Sequence, residues 1–370
     1  MTDIKDYIDP KDLELFNNAI QKAVEDGVPL EKIEKRLQSK HIINKAIHVT
    51  TAAMSDDIYQ YILEHSEENR AYFQLENKNF EERLFNLWKE PFENFETMIY
   101  VSQEIGNEFN NEFRPLAVKN NDLVFEALIH LHGRACQIAL EILKLMQGGF
   151  PDGAIARWRT LHEVAVICNF IQKNGNSTAE RYLLHDAIES YKSVAKYIYR
   201  REIYEKHKQI LGETLPTHEE MQRIQKIKER LCDQFGKGYA DDWGWASYVI
   251  DSPDFSKIED FVNMDHFRPY YKMANISIHA GSKGIKFHLT SPNTDLIPSG
   301  PGNMGMADPG QLAAISLLHV NTVLLISKPS LRRMADILAL IKLNDMIKES
   351  FGQVHDQSMK TYQEEVRKNK

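Results

Sequence analysis

Cysteine is scarce in this sequence: Cys136, Cys168 and Cys232 are the only three in 370 residues, and no two have CxxC spacing. So small and odd a set argues against a disulfide framework and reads as the reduced thiols of a cytoplasmic protein. Strand-like alternation of apolar and polar residues is equally hard to find, which leaves sheet-based enzyme classes without footing. There is no P-loop, no strand-linked GxGxxG, no HExxH and no GxSxG elbow, so the nucleotide, zinc-protease and hydrolase chemistries built on them are not expected. The segment Gly300-Pro301-Gly302-Asn303-Met304-Gly305 is glycine-rich but has no phosphate-binding lysine, and it reads as a turn.

Long apolar runs are also missing. The greasiest, Leu312 to Ile326, contains His319 and Asn321 and is shorter than a membrane span requires, so a buried core helix is expected. The opening MTDIKDYIDPKDLELF has no apolar stretch behind a basic start and does not read as a secretory signal. A net charge of −8 argues against general electrostatic attraction to nucleic acid or anionic membrane. It leaves room for a local basic groove.

Helical periodicity is what the sequence does contain, and it predicts an all-α protein: a central multi-helix bundle with an N-terminal helical extension and a C-terminal helical cover. The expected division is residues 1–55 for the extension, 56–290 for the bundle and 291–370 for a loop and the last helices. Aromatic residues Phe80, Phe85, Trp88, Phe92, Phe95, Phe109 and Phe113 are expected to fill a core. Val124, Leu128, Leu131, Ala135, Ile138, Ile142 and Leu145 then step by four and three along one seam. Gly148-Gly149 stops that helix and Pro151 starts the next, so the two form a tight antiparallel hairpin. Ser177 and Glu180 have capping-box spacing for a further long helix. Tyr270 to Gly281 is expected to be another core helix, and Ser291 to Gly310 a long loop.

The second hairpin helix carries Arg159, His162 and Glu163 within a surface that is otherwise apolar. Charges are placed on such a helix when they are paired or used. Residues three and four apart share a face, so Arg159 lies beside both His162 and Glu163. One reading is a structural salt bridge, joined by Arg134 or Glu141 of the preceding helix. The other is a functional centre in which the Arg–Glu pair holds a guanidinium rigidly beside a histidine that exchanges protons near neutral pH.

Two resemblances bear on that choice. Arg157-x4-His162 resembles the Arg-x4–6-His motif of the HEPN family, helical proteins that include metal-independent RNA nucleases and toxins. In that family arginine and histidine act near the scissile phosphate, usually across a dimer interface. More of the chain, LHGRACQIALEILKLMQGGFPDGAIARWRTLHEVAVICNFI and later YYKMANISIHAG, resembles a bacterial family known as a domain of unknown function. Its R-x-L-x-E and Tyr…Ser-x-His elements fall on Arg159, Leu161, Glu163, Tyr271, Ser277 and His279.

Together these imply a defence or stress-response protein with metal-independent ribonuclease or toxin activity, RNA as partner and a homodimer as assembly. Arg159, His162, Glu163, His279 and Arg157 would be the catalytic set, with Tyr271, Ser277, His185 and Arg134 binding substrate. No cofactor is expected, and no metal: His185, Asp186 and Glu189 lie close in sequence but match no ligand spacing. The competing reading is a non-enzymatic helical sensor or interaction module for a small ligand or partner.

Overall fold

A computed structural model describes residues 18, 20–37, 40–199, 217–290 and 299–368. Every regular element among them is helical. They fall into two compact units, Met1–Asn79 and Phe80–Lys370. The first unit contains α1 (Leu30–Leu37) and most of α2 (Lys40–Leu87), a 48-residue helix that runs unbroken across the boundary expected at residue 55.

The second unit is the helical bundle. Its members are α3 (Lys89–Asn120), α4 (Leu123–Gln147), α5 (Pro151–Asn174), α6 (Asn176–Leu184), α7 (Asp186–Tyr199) and α8 (His218–Phe235). These are followed by α9 (Phe255–Phe261), α10 (Arg268–Ile278), α11 (Ala307–Ile326) and α12 (Leu331–Lys368). The hairpin of α4 and α5 forms as its sequence predicts: Gly149 takes a φ of 82°, and Phe150 N–H donates to the Leu145 carbonyl at 2.8 Å. Pro151 occupies the first turn of α5, where a missing N–H costs nothing.

Helix α11 lies against α3, α4, α5 and α12. It is long and apolar enough to cross a membrane by length and composition, yet most of it is buried inside the bundle. Leu312, Leu317, Val320 and Leu324 are among its buried side chains, each stabilising by about 1.5–3 kcal/mol relative to exposure. Trp88, Phe92, Phe95 and Phe109 are buried in the same core. Gly310 lets α11 approach α12 closely, because a Cβ there would lie 2.3 Å from the Phe351 ring.

Several polar side chains inside this core are paired. His132 Nε2 donates to Asn321 Oδ1 at 3.0 Å, Asn321 Nδ2 donates to Ser102 Oγ at 2.8 Å, and Ser102 donates to the Met98 carbonyl. The Trp158 indole donates to Ser316 Oγ at 3.0 Å.

Three local expectations change. Helix α6 begins at Asn176, with Gly175 as its cap and no side-chain capping bond, so Ser177 and Glu180 form no capping box. The long helix expected after residue 177 is two helices, with His185 between them. Helix α10 is not a core helix: Ala274 is its one buried residue. Residues 291–298 of the expected loop lie outside the described residues, whereas 299–306 carry no helix.

Candidate functional site

The polar residues of α5 separate onto different faces of the helix, and the separation divides them into three groups. Arg157 pairs with Glu141 of α4 and reaches Thr160 Oγ1 at 3.4 Å. Glu141 therefore serves Arg157, not Arg159. Arg134, exposed on α4, bonds its own neighbour Gln137 at 2.9 Å.

His162 points into the core. Its exposure is 0%, and Nε2–H donates to Glu259 Oε1 of α9 at 2.8 Å; Glu259 itself is 1% exposed. Arg268 Nε donates to the other carboxylate oxygen at 2.8 Å, and its Nη2 reaches Asp260 Oδ1 at 2.6 Å. Burial by itself raises the Glu259 pKa, but the bonds from His162 and Arg268 outweigh it and hold the carboxyl below its ordinary range. Trp158, Phe267 and Tyr271 stand around the imidazole, and its Nδ1 has no hydrogen-bond partner among the described residues. This is a sealed His–Glu–Arg clamp joining α5, α9 and the start of α10. Arg157 and His162 do not converge.

The third group is half-exposed. Arg159 Nε lies 3.3 Å from Glu163 Oε1, an ion-pair distance. Its N–H is not aimed at the oxygen, and Nε makes no hydrogen bond among the described residues. The guanidinium lies over the Tyr271 ring at 4.5 Å, and the Tyr271 hydroxyl donates to Glu163 Oε1 at 2.5 Å. Burial, then the Glu163 carboxylate, push the Tyr271 hydroxyl far above its ordinary pKa. It is therefore a donor locked in its protonated form, not a base. Asn275 lies one turn beyond Tyr271 on α10, and its Oδ1 is also buried without a partner.

His279 is exposed just past the end of α10 and, among the described residues, bonds neither Arg159 nor Glu163. Ser277 Oγ approaches Asp152 Oδ1 at 3.5 Å, and the same carboxylate accepts from the Leu289 backbone N–H at 3.2 Å. Asp152 thus ties the segment after α10 to the first turn of α5. His185 lies elsewhere, buried against the Tyr239 and Asp241 carbonyls, and Glu189 is 3.6 Å from its Nδ1. Among the described residues no group of three or more His, Cys, Asp or Glu could hold a metal ion.

Motif spacing alone does not reveal one further property of this region. Between Asp265 and Asp295 there is no carboxylate, whereas Arg268, Lys272, Lys283 and Lys286 and three histidines occur there. Lys272, His279, Lys283 and Lys286 are all exposed. The signal lies in the distribution of charge along the chain; whole-chain net charge hides it.

Fold and site together describe an all-helical protein with a sealed ionic clamp, a half-exposed Arg–Glu–Tyr cluster and a run of exposed basic residues on α10 and the segment after it. Residues 125–296 match the model of a family of unknown function, DUF5677. That span contains α5 to α10 and nearly all of α4, and hence both the clamp and the cluster. No curated protein and no solved structure matches the chain.

Proposed function

We propose that the face formed by α5, α10 and the segment up to residue 290 binds RNA, and that the protein is a metal-independent, HEPN-like ribonuclease or toxin of bacterial defence. The observation that carries this reading is the run of exposed basic side chains, Lys272, His279, Lys283 and Lys286, that follows Tyr271, whose ring holds the partly exposed Arg159 guanidinium. Lysines along such a strip neutralise successive phosphates, whatever the charge of the whole chain. Arg159, stacked on Tyr271 and braced by Glu163, is placed to stabilise charge on a phosphate. Glu163 and the exposed His279 are the groups available to move protons at the 2′-hydroxyl and the leaving oxygen. His162 has no part in the chemistry, because Glu259 and the aromatic rings seal it from any substrate.

The test is incubation with single-stranded RNA in excess chelator, read on a gel. Wild type cleaves and Arg159→Ala does not, while both melt within a few degrees of each other. Intact RNA with wild type, or undiminished cleavage by Arg159→Ala, removes the ribonuclease reading.

A second reading, a sensor for a small polar ligand, is favoured by Arg159 Nε and Asn275 Oδ1, two buried atoms without a hydrogen-bond partner among the described residues. They leave one donor and one acceptor for a bound molecule. A rise in melting temperature with a nucleotide, lost in Asn275→Leu, together with inertness toward RNA, would decide for it.

A further inference from the structure

From residue 51 to residue 78, every position of α2 except His65 and Ser66 is exposed. Yet the stretch is not polar all round. Ile58, Tyr61, His65, Glu68, Tyr72 and Leu75 follow one another in alternating steps of three and four, the 3.5-residue period of a left-handed coiled coil. Ile58 is 57% exposed, Tyr61 63%, Tyr72 65% and Leu75 57%. The opposite side carries Asp56, Gln60, Glu67, Arg70 and Gln74, with the exposed Tyr59, Leu63 and Phe73 also lying off the seam. A seam of this kind on an uncovered helix calls for a second helix.

We propose that α2 pairs with α2 of a second copy of this chain in an antiparallel two-stranded coiled coil, centred between Ser66 and Glu67. Charge complementarity selects both the partner and the direction. In that register Tyr61 meets the partner's Tyr72, Ile58 meets the partner's Leu75, and His65 meets the partner's Glu68, each pair occurring twice by symmetry. A parallel pairing in register would press Glu68 against the partner's Glu68 in the seam, leaving two like charges together. The antiparallel arrangement converts the one charged break in the seam into a His–carboxylate pair. Area agrees. With Met54 and Ile62 at its margins, the strip offers roughly 650 Å² per copy, so two copies cover about 1,300 Å², within the ~1,200–2,000 Å² of stable interfaces. The helix lies outside the matched residues 125–296, and the inference is independent of the RNA reading.

The experiment uses the full chain. Sedimentation at micromolar concentration gives a dimer, twice 42.8 kDa, and Tyr61→Glu with Leu75→Glu gives a monomer with unchanged helical content. Direction is tested with cysteines in a Cys232→Ser background. Ile58→Cys chains mixed with Leu75→Cys chains form a disulfide-linked dimer on oxidation. Ile58→Cys chains alone do not, since antiparallel pairing holds the two positions about 25 Å apart along the axis. A monomeric wild type, a dimer indifferent to the glutamates, or efficient cross-linking of Ile58→Cys alone each overturns the proposal.

Discussion

His162 illustrates how much a single residue's meaning depends on which way its helix is turned. Its neighbours in sequence, Arg159 and Glu163, face α10 and solvent, whereas His162 faces Glu259. Glu259 is therefore a stability residue. Glu259→Ala leaves His162 unpaired in the core and takes from Arg268 one of its two carboxylate partners, and should cost about 3–5 kcal/mol in urea unfolding. The sign of its pH effect follows from its lowered pKa: the folded state holds the proton less tightly than the unfolded chain. Its contribution is complete above the ordinary glutamate range and is lost as pH falls through the folded value. His319 acts in a higher window. Burial, and then the His162 and His266 charges, push its pKa down to about 4 from 6.5. Protonation in the unfolded chain therefore begins to cost stability below pH 6.5, and the loss is complete only below about 4. Roughly 3 kcal/mol is at stake. His319→Gln should flatten the stability curve between pH 6.5 and 4; an unaltered slope there would show that the histidine is hydrated in the folded protein.

Helices with one strongly apolar seam were legible from sequence, and those whose burial depends on their neighbours were not. The α4–α5 hairpin follows from its seams and from the order of its glycines and proline, all of which are local signals. Helix α11 was equally readable, because residues that are apolar on all sides must be buried. By contrast, α10 has the composition of a core helix, but only Ala274 is buried. Tyr271 serves the clamp and the Arg159 cluster, whereas Tyr270 is exposed. The break at His185 was unreadable because the Tyr239 and Asp241 carbonyls that hold it come more than fifty residues later. Of the candidate site, the pairing of Arg159 with Glu163 was local and readable. The Glu163–Tyr271 bond and the role of Glu259 were not, since no periodicity links residues about a hundred apart. Close approach of helices makes its own prediction. Gly310→Ala drives a methyl into the Phe351 ring and should destabilise the α11–α12 packing by about 1–3 kcal/mol. A melting temperature equal to wild type would mean that the ring moves aside freely.

At the scale of the whole molecule, negative charge and the proposed RNA binding are reconciled by segregation. The chain carries 45 basic and 53 acidic residues, yet residues 266–294 contain no acidic one. The long-range field repels a polyanion, so association should be slower than for a basic protein, whereas on the proposed reading the short-range strip should hold the polyanion once it arrives. The sealed clamp supports this face from behind, because Arg268 opens α10 and is fixed by Glu259 and Asp260. Breaking the clamp should loosen the strip without removing any charge from it. Glu259→Gln is therefore expected to weaken RNA binding, although Glu259 touches no solvent.

The central claim is that the strip beside Arg159 takes hold of phosphates, and its most direct test is the salt dependence of binding to a single-stranded RNA, measured by fluorescence anisotropy. Wild type should lose affinity steadily as salt rises. Replacing Lys272, Lys283 and Lys286 together by alanine should reduce the logarithmic slope by about 2, near 0.7 for each phosphate no longer neutralised. No binding at low salt, or a slope untouched by the triple substitution, would contradict the account.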